Sequence, residues 1–184
     1  MGYMGLGRNR NAQKLWDEAI EQFDYVAKLH SDYSSVYAFR AESYIGKRNW
    51  DKATDDIVTA LKIDSNDMAF YLMQDLEDAP FTMLKVKFQI QAAKETNEGK
   101  WPYYLGIIHE RKEQYKQAVK YYEAANKRDA SAYNLERIAV CYERDGQYEN
   151  CLFTLDQALN MEPQRMSLQT LKANILYEAG RTKD

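Results

Sequence analysis

Apolar and small residues recur along this chain on two length scales. Over short stretches they fall three, four and seven residues apart, the spacing of one helical face. Over long stretches the same residue types return after roughly 33 positions, which marks a stack of similar units. One small-residue column runs through Ala19, Ala53, Val86, Ala118 and Cys151, in steps of 34, 33, 32 and 33 residues. Four places later stand Phe23, Ile57, Ile90, Tyr122 and Leu155, and three further on Val26, Ala60, Ala93, Ala125 and Ala158. An aromatic precedes the column by three places at Trp16, Trp50, Tyr115 and Tyr148, with Met83 in the odd unit. Twelve places before the column comes another small residue, at Gly7, Ala41, Gly106, Ala139 and again Ala173; Gln74 is the misfit.

Breaks near Asn11, Lys47, Pro80, Lys112 and Gly146 divide each unit into two helices. The predicted helices cover 2–10, 15–30, 34–46, 50–63, 67–78, 81–97, 101–113, 115–128, 131–145, 148–161 and 165–179. Ser65-Asn66-Asp67 is suited to cap the helix that follows it, Glu162-Pro163 to close the one before, and Asp145-Gly146 and Ala179-Gly180 offer a residue that tolerates positive φ. Small residues in facing columns let paired helices approach closely, and the large aromatic fills the space between one hairpin and the next. No single hairpin buries its apolar face alone, so the stack is the folding unit.

The columns resemble those of the tetratricopeptide repeat (TPR) family. The fifth unit follows that pattern most fully, with Leu135, Ile138, Ala139, Tyr142, Gly146, Tyr148, Leu155, Ala158 and Pro163, and with Cys151 where Ala is usual. The resemblance extends over the whole chain. It implies an all-α, right-handed superhelical solenoid of antiparallel helix pairs, about five repeats plus a terminal helix, whose first helices line a concave groove that holds a peptide or protein segment. The units are expected at 1–33, 34–66, 67–99, 100–130 and 131–164 with a partial one at 165–184, forming a single repeat domain cut from a longer protein. The third is degenerate: Gln74, Glu77 and Val86 replace its small and aromatic residues, and Asp78-Ala79-Pro80 stands where a Gly turn is usual. Larger residues at that crossing should set its two helices further apart.

Composition narrows the function. A net charge of −3 with no basic tail or stripe argues against a nucleic-acid partner. The apolar runs are far short of the roughly 20 residues a membrane span needs, and MGYMGLGRNR lacks the apolar core of a signal peptide. These features favour a soluble protein, with the cytoplasm the first choice and an extracytoplasmic site open if a leader was removed. Cys141 and Cys151 occupy columns that normally hold Ala and read as small buried hydrophobes. His109 fits a Tyr column, His30 lies near a helix end, and adjacent acids such as Asp55-Asp56 suit a solvated face. No phosphate-binding loop, nucleophile elbow, zinc-protease or calcium-loop motif occurs, so the expectation is a non-enzymatic scaffold without cofactor or metal.

The groove carries the functional expectation. Register places Tyr71, Asp75, Tyr103, Ile107, Glu110, Arg111, Tyr133, Glu136, Val140 and Tyr177 among its inward residues. Tyrosine gives a rigid contact surface with one polar tip, and the excess of carboxylates over arginines on the first helices favours a neutral to basic protein or peptide segment. The chaperone-tail clamp that some family members carry is absent in this register, where Met4 and Arg8 stand at its first positions and Arg137 alone matches a basic one. Two further roles stay open: a regulatory or substrate-recruiting region of a larger enzyme or signalling protein, and a module that self-assembles through its repeat ends.

Overall fold

The computed structural model describes residues 2–76, 78–178 and 180; within them, the side chains of Asp75 and Asp78 lie outside the described set. The described residues form eleven helices and no strand. The pairs are α1 (Tyr3–Ala12) with α2 (Trp16–Leu29), α3 (Ser34–Gly46) with α4 (Trp50–Ile63), α7 (Lys100–Arg111) with α8 (Tyr115–Arg128), and α9 (Ala132–Arg144) with α10 (Tyr148–Met161); α5 (Asp67–Asp75), which packs on α3 and α4, and α6 (Asp78–Lys94) stand between the second and third pairs in sequence, and α11 (Met166–Glu178) follows α10. The chain divides into two compact units, residues 1–87 and 88–184.

In the first unit, Ala19, Phe23, Val26 and Val36 form a core against which Met4, Ala27, Tyr37 and Phe39 pack. The close approach of α1 and α2 has a specific cause: a Cβ on Gly7 would lie 2.5 Å from the ring of Phe23. Buried Asn11 then ties α1 to α3, donating to the Phe39 carbonyl and to Glu42 at 2.9 Å each and accepting from the Ser43 hydroxyl at 2.6 Å. Between hairpins, the Trp16 indole lies so close to Gly46 that a Cβ there would sit 2.4 Å from it.

The second unit repeats the crossing, with a Cβ on Gly106 falling 2.5 Å from the Tyr122 ring. The same two columns hold Ala41 with Ile57 and Ala139 with Leu155, all fully buried. Glycine thus faces an aromatic ring and alanine a thinner aliphatic side chain, which keeps the combined volume at each crossing similar. Phe88 packs against Trp101 and Tyr104 with ring centroids 5.8 and 5.4 Å apart.

The third predicted repeat departs from its expected register. Its second helix begins at Asp78, so Asp78-Ala79-Pro80 is the first helical turn and not the connection; Pro is at home there because its missing N–H has no intrahelical acceptor. Val86 and Ile90, predicted at the crossing, are 49% and 45% exposed, and Ala93 is exposed as well. Phe81, Leu84 and Phe88 are buried in their place. α6 carries apolar residues on both faces, and the face with two phenylalanines removes more apolar surface from water.

The turns of all four helix pairs place one residue in the left-handed region at the same repeat position: Lys14, Arg48, Glu113 and Gly146. A side chain there costs about 1–2 kcal/mol, against about 0.5–1 kcal/mol of extra backbone entropy lost by glycine. Arg48→Gly and Glu113→Gly are therefore each expected to stabilise the fold by up to about 1 kcal/mol, read from urea midpoints at constant m.

Candidate functional site

The first helices of the second unit bring several predicted groove residues together. Tyr103 on α7 donates its hydroxyl hydrogen to the Tyr133 hydroxyl on α9 at 3.0 Å, with ring centroids 5.8 Å apart. Tyr103 is half-buried and also packs on Tyr104 and Tyr122, whereas Tyr133 is 47% exposed. Burial and the neighbouring hydroxyl of Tyr133 push the Tyr103 phenol well above its ordinary range, so it stays a protonated donor. The guanidinium of Arg165, in the connection before α11, lies 5.7 Å from the Tyr133 ring centroid. Arg165 also bonds Glu136, one turn from Tyr133 on α9, and pairs with Glu162 at 3.2 Å. The result is a tyrosine pair clasped by an arginine, with one phenolic face open to solvent.

Beneath it lies a second network. The buried Glu110 carboxylate accepts from the Tyr122 hydroxyl at 2.8 Å and from the Arg137 guanidinium, and Arg144 stands 3.6 Å from its other oxygen. Burial and the Glu110 charge raise the Tyr122 phenol far above normal despite the opposing Arg137, which keeps it a donor. Glu110, 4% exposed, and Ile107, 6% exposed, are therefore structural, and this corrects their assignment to the open groove: α7 is packed so closely that these positions face neighbouring helices. Val140 is half-buried, Arg111 is exposed, and Tyr177 on α11 is 75% exposed. Tyr71 belongs to the first unit and is 61% exposed on α5; Asp75, expected beside it, has its side chain outside the described residues.

Two ionic features escaped the column reading. Arg165 lies between repeats, where no column runs. Arg40 on α3 makes a two-pronged bond to Asp56 on α4, 2.7 Å for each prong, and reaches Asp24 on α2 at 2.7 Å. Its only sequence signal is a charge directly beside the fully buried Ala41 column.

Both cysteines are free and buried, and burial, with nearby Glu110 for Cys141 and Glu143 for Cys151, pushes each thiol up to about 12. Neither is a thiolate nucleophile at neutral pH. His109 stacks on Tyr121 at 5.0 Å with Nδ1 2.7 Å from the Gln114 side-chain oxygen. Among the described residues no group of three or more His, Cys, Asp or Glu is arranged to hold a metal ion, and no helix is long and apolar enough to cross a membrane.

Paired helices with small-residue crossings, repeated at a fixed interval, define an all-α helical-repeat protein. Residues 103–131 and 132–165 each match the sequence model of the tetratricopeptide repeat. The fold is a tetratricopeptide-like helical repeat. Solved structures with the same fold include YrrB, described as a TPR protein with an unusual peptide-binding site (18% identity, 92% of this chain and 90% of that one, TM-score 0.55). A thermophilic TPR protein of Thermus thermophilus, TTC0263, has 14% identity over 95% of this chain and 97% of that one, with a TM-score of 0.58. Yeast Tom70 has 19% identity, covers 89% of this chain and 36% of its own longer one, and has a TM-score of 0.59. At these identities the likeness is one of fold. No curated protein matches the sequence.

Proposed function

We propose that the chain is a protein-interaction scaffold that holds a peptide segment against the first-helix face of its second unit, with no chemical conversion of what it binds. The observation that carries this is the Tyr103–Tyr133 pair fixed by a 3.0 Å hydroxyl bond and by Arg165 over the exposed ring. Preorganised aromatic side chains lose little entropy on binding and supply most of the contact energy of an interface. The fold shared with YrrB, whose description names a peptide-binding site, supports the reading.

Glu110 and Glu136 are engaged by arginines of the same unit, so aromatic contact contributes more than charge; the chain's overall −3 still favours a neutral to basic segment. In a peptide array probed with the intact protein and with a Tyr103→Ala, Tyr133→Ala double variant, the variant should lose about tenfold in affinity for every peptide captured on this face. Equal capture by both proteins rules the face out.

A further inference from the structure

The second unit has another concavity, on the side formed by its second helices. One depression of about 440 Å³ lies between α8 and α10 with α9 as floor, and a second of about 500 Å³ continues it along α8 toward the end of α9 and the turn before α10; the two share Glu123 and Tyr142 in their walls. The reason this place is open is visible from the first unit. In repeat register Arg40, Asp24 and Asp56 correspond to Ile138, Glu123 and Thr154. In the first unit the guanidinium of Arg40 bridges α2 and α4 through both aspartates. In the second, neither Ile138 nor Thr154 can make that bridge, and Ile138 becomes apolar floor instead.

The walls have a definite chemistry. Lys116, Lys120 and Lys127 line the groove along α8, all exposed, and none is held in an ion pair among the described residues, whereas Lys47, Lys87 and Lys172 each engage an aspartate. They outnumber the two carboxylates of the lining, Glu123 and Asp145, on a chain whose total charge is negative. On the opposite wall Phe153 is 66% exposed, next to the depression floored by Ile138. Unpaired cations on one side and an uncovered aromatic on the other match an amphipathic ligand with acids along one edge and apolar anchors along the other.

We infer that the α8–α10 groove is a second docking surface, and that its occupant is an acidic amphipathic protein segment, held by Lys116, Lys120 and Lys127 and anchored on Phe153. The surface is distinct from the tyrosine face on the first helices, so either stands without the other.

The test uses the full chain, ¹⁵N-labelled, titrated with a synthetic helical peptide of about 16 residues carrying Leu and Phe on one face and Glu on the other, long enough to run the length of α8. Saturable shifts are expected along α8 and α10, weakening as salt rises. A Lys116→Glu, Lys120→Glu, Lys127→Glu variant and a separate Phe153→Ala variant should each bind about tenfold more weakly, while Tyr103→Ala, Tyr133→Ala binds unchanged. All four positions altered in the first two variants are exposed, so folding survives, as a thermal melt verifies. Ile138→Arg with Thr154→Asp, which rebuilds the bridge of the first unit, should abolish binding. The inference is overturned by shifts confined to α7, α9 and α11, by equal binding of a peptide with Lys in place of Glu, by absence of saturable binding, or by stronger binding of phosphatidylserine vesicles or single-stranded RNA than of the peptide.

Discussion

Gly106→Ala is expected to lower stability by about 2 kcal/mol, although alanine is the better helix former by about 1 kcal/mol. The new methyl would lie 2.5, 2.6 and 2.9 Å from three atoms of the Tyr122 ring. Tyr122 is fully buried and tethered through its hydroxyl to Glu110 at 2.8 Å, so the ring cannot turn aside without breaking the buried network that also holds Arg137. Overpacking of a closed core forces helices apart or side chains off their rotamers. The contact is isolated at the equivalent crossing in the first unit, where Phe23 carries no polar tether. There a Gly7→Ala, Phe23→Leu cycle should show the double variant at least about 1 kcal/mol more stable than the sum of the singles, since it recreates the alanine–aliphatic pairing of Ala139 with Leu155. Strict additivity in chemical unfolding would mean that the two columns do not determine each other.

Arg40→Ile is the second large effect, with an expected loss of about 3 kcal/mol, because it leaves the carboxylate of Asp56 buried without its partner. The Asp56 side chain is 7% exposed and Asp24 45%, so the cost falls mainly on Asp56. Adding Asp56→Thr should restore most of the loss, because Ile and Thr are what the second unit carries at the two positions, and replacing a whole buried pair by packed residues is often neutral. Urea unfolding of the two singles and the double provides the measurement. If Arg40→Ile costs no more than a surface substitution, the bridge is not holding α2, α3 and α4 together.

Much of the fold is legible in the sequence for a simple reason. A helix must turn an apolar face inward every 3.6 residues, and a repeat must do so in the same columns of each unit, so the periodicity predicts both helices and pairing. Legibility fails where a helix offers two apolar faces. On α6 the column through Val86 and Ile90 continues the repeat, but Phe81, Leu84 and Phe88 bury more surface, and packing chooses them.

Of the expected groove residues, Tyr103, Tyr133 and Glu136 do come together, because one helical register governs α7 and α9 alike. Ile107 and Glu110 share that register and are nonetheless buried, since exposure depends on how closely neighbouring helices approach. Thus the sequence by itself determined the repeat, the helices and the small-residue crossings, all consequences of local periodicity. Only the tertiary structure decided which carboxylates are taken up by internal arginines, that Arg165 reaches Tyr133, and that the position closed by Arg40 in one unit lies open over Ile138 in the other. Those are distances between side chains remote in sequence, and no local pattern encodes them.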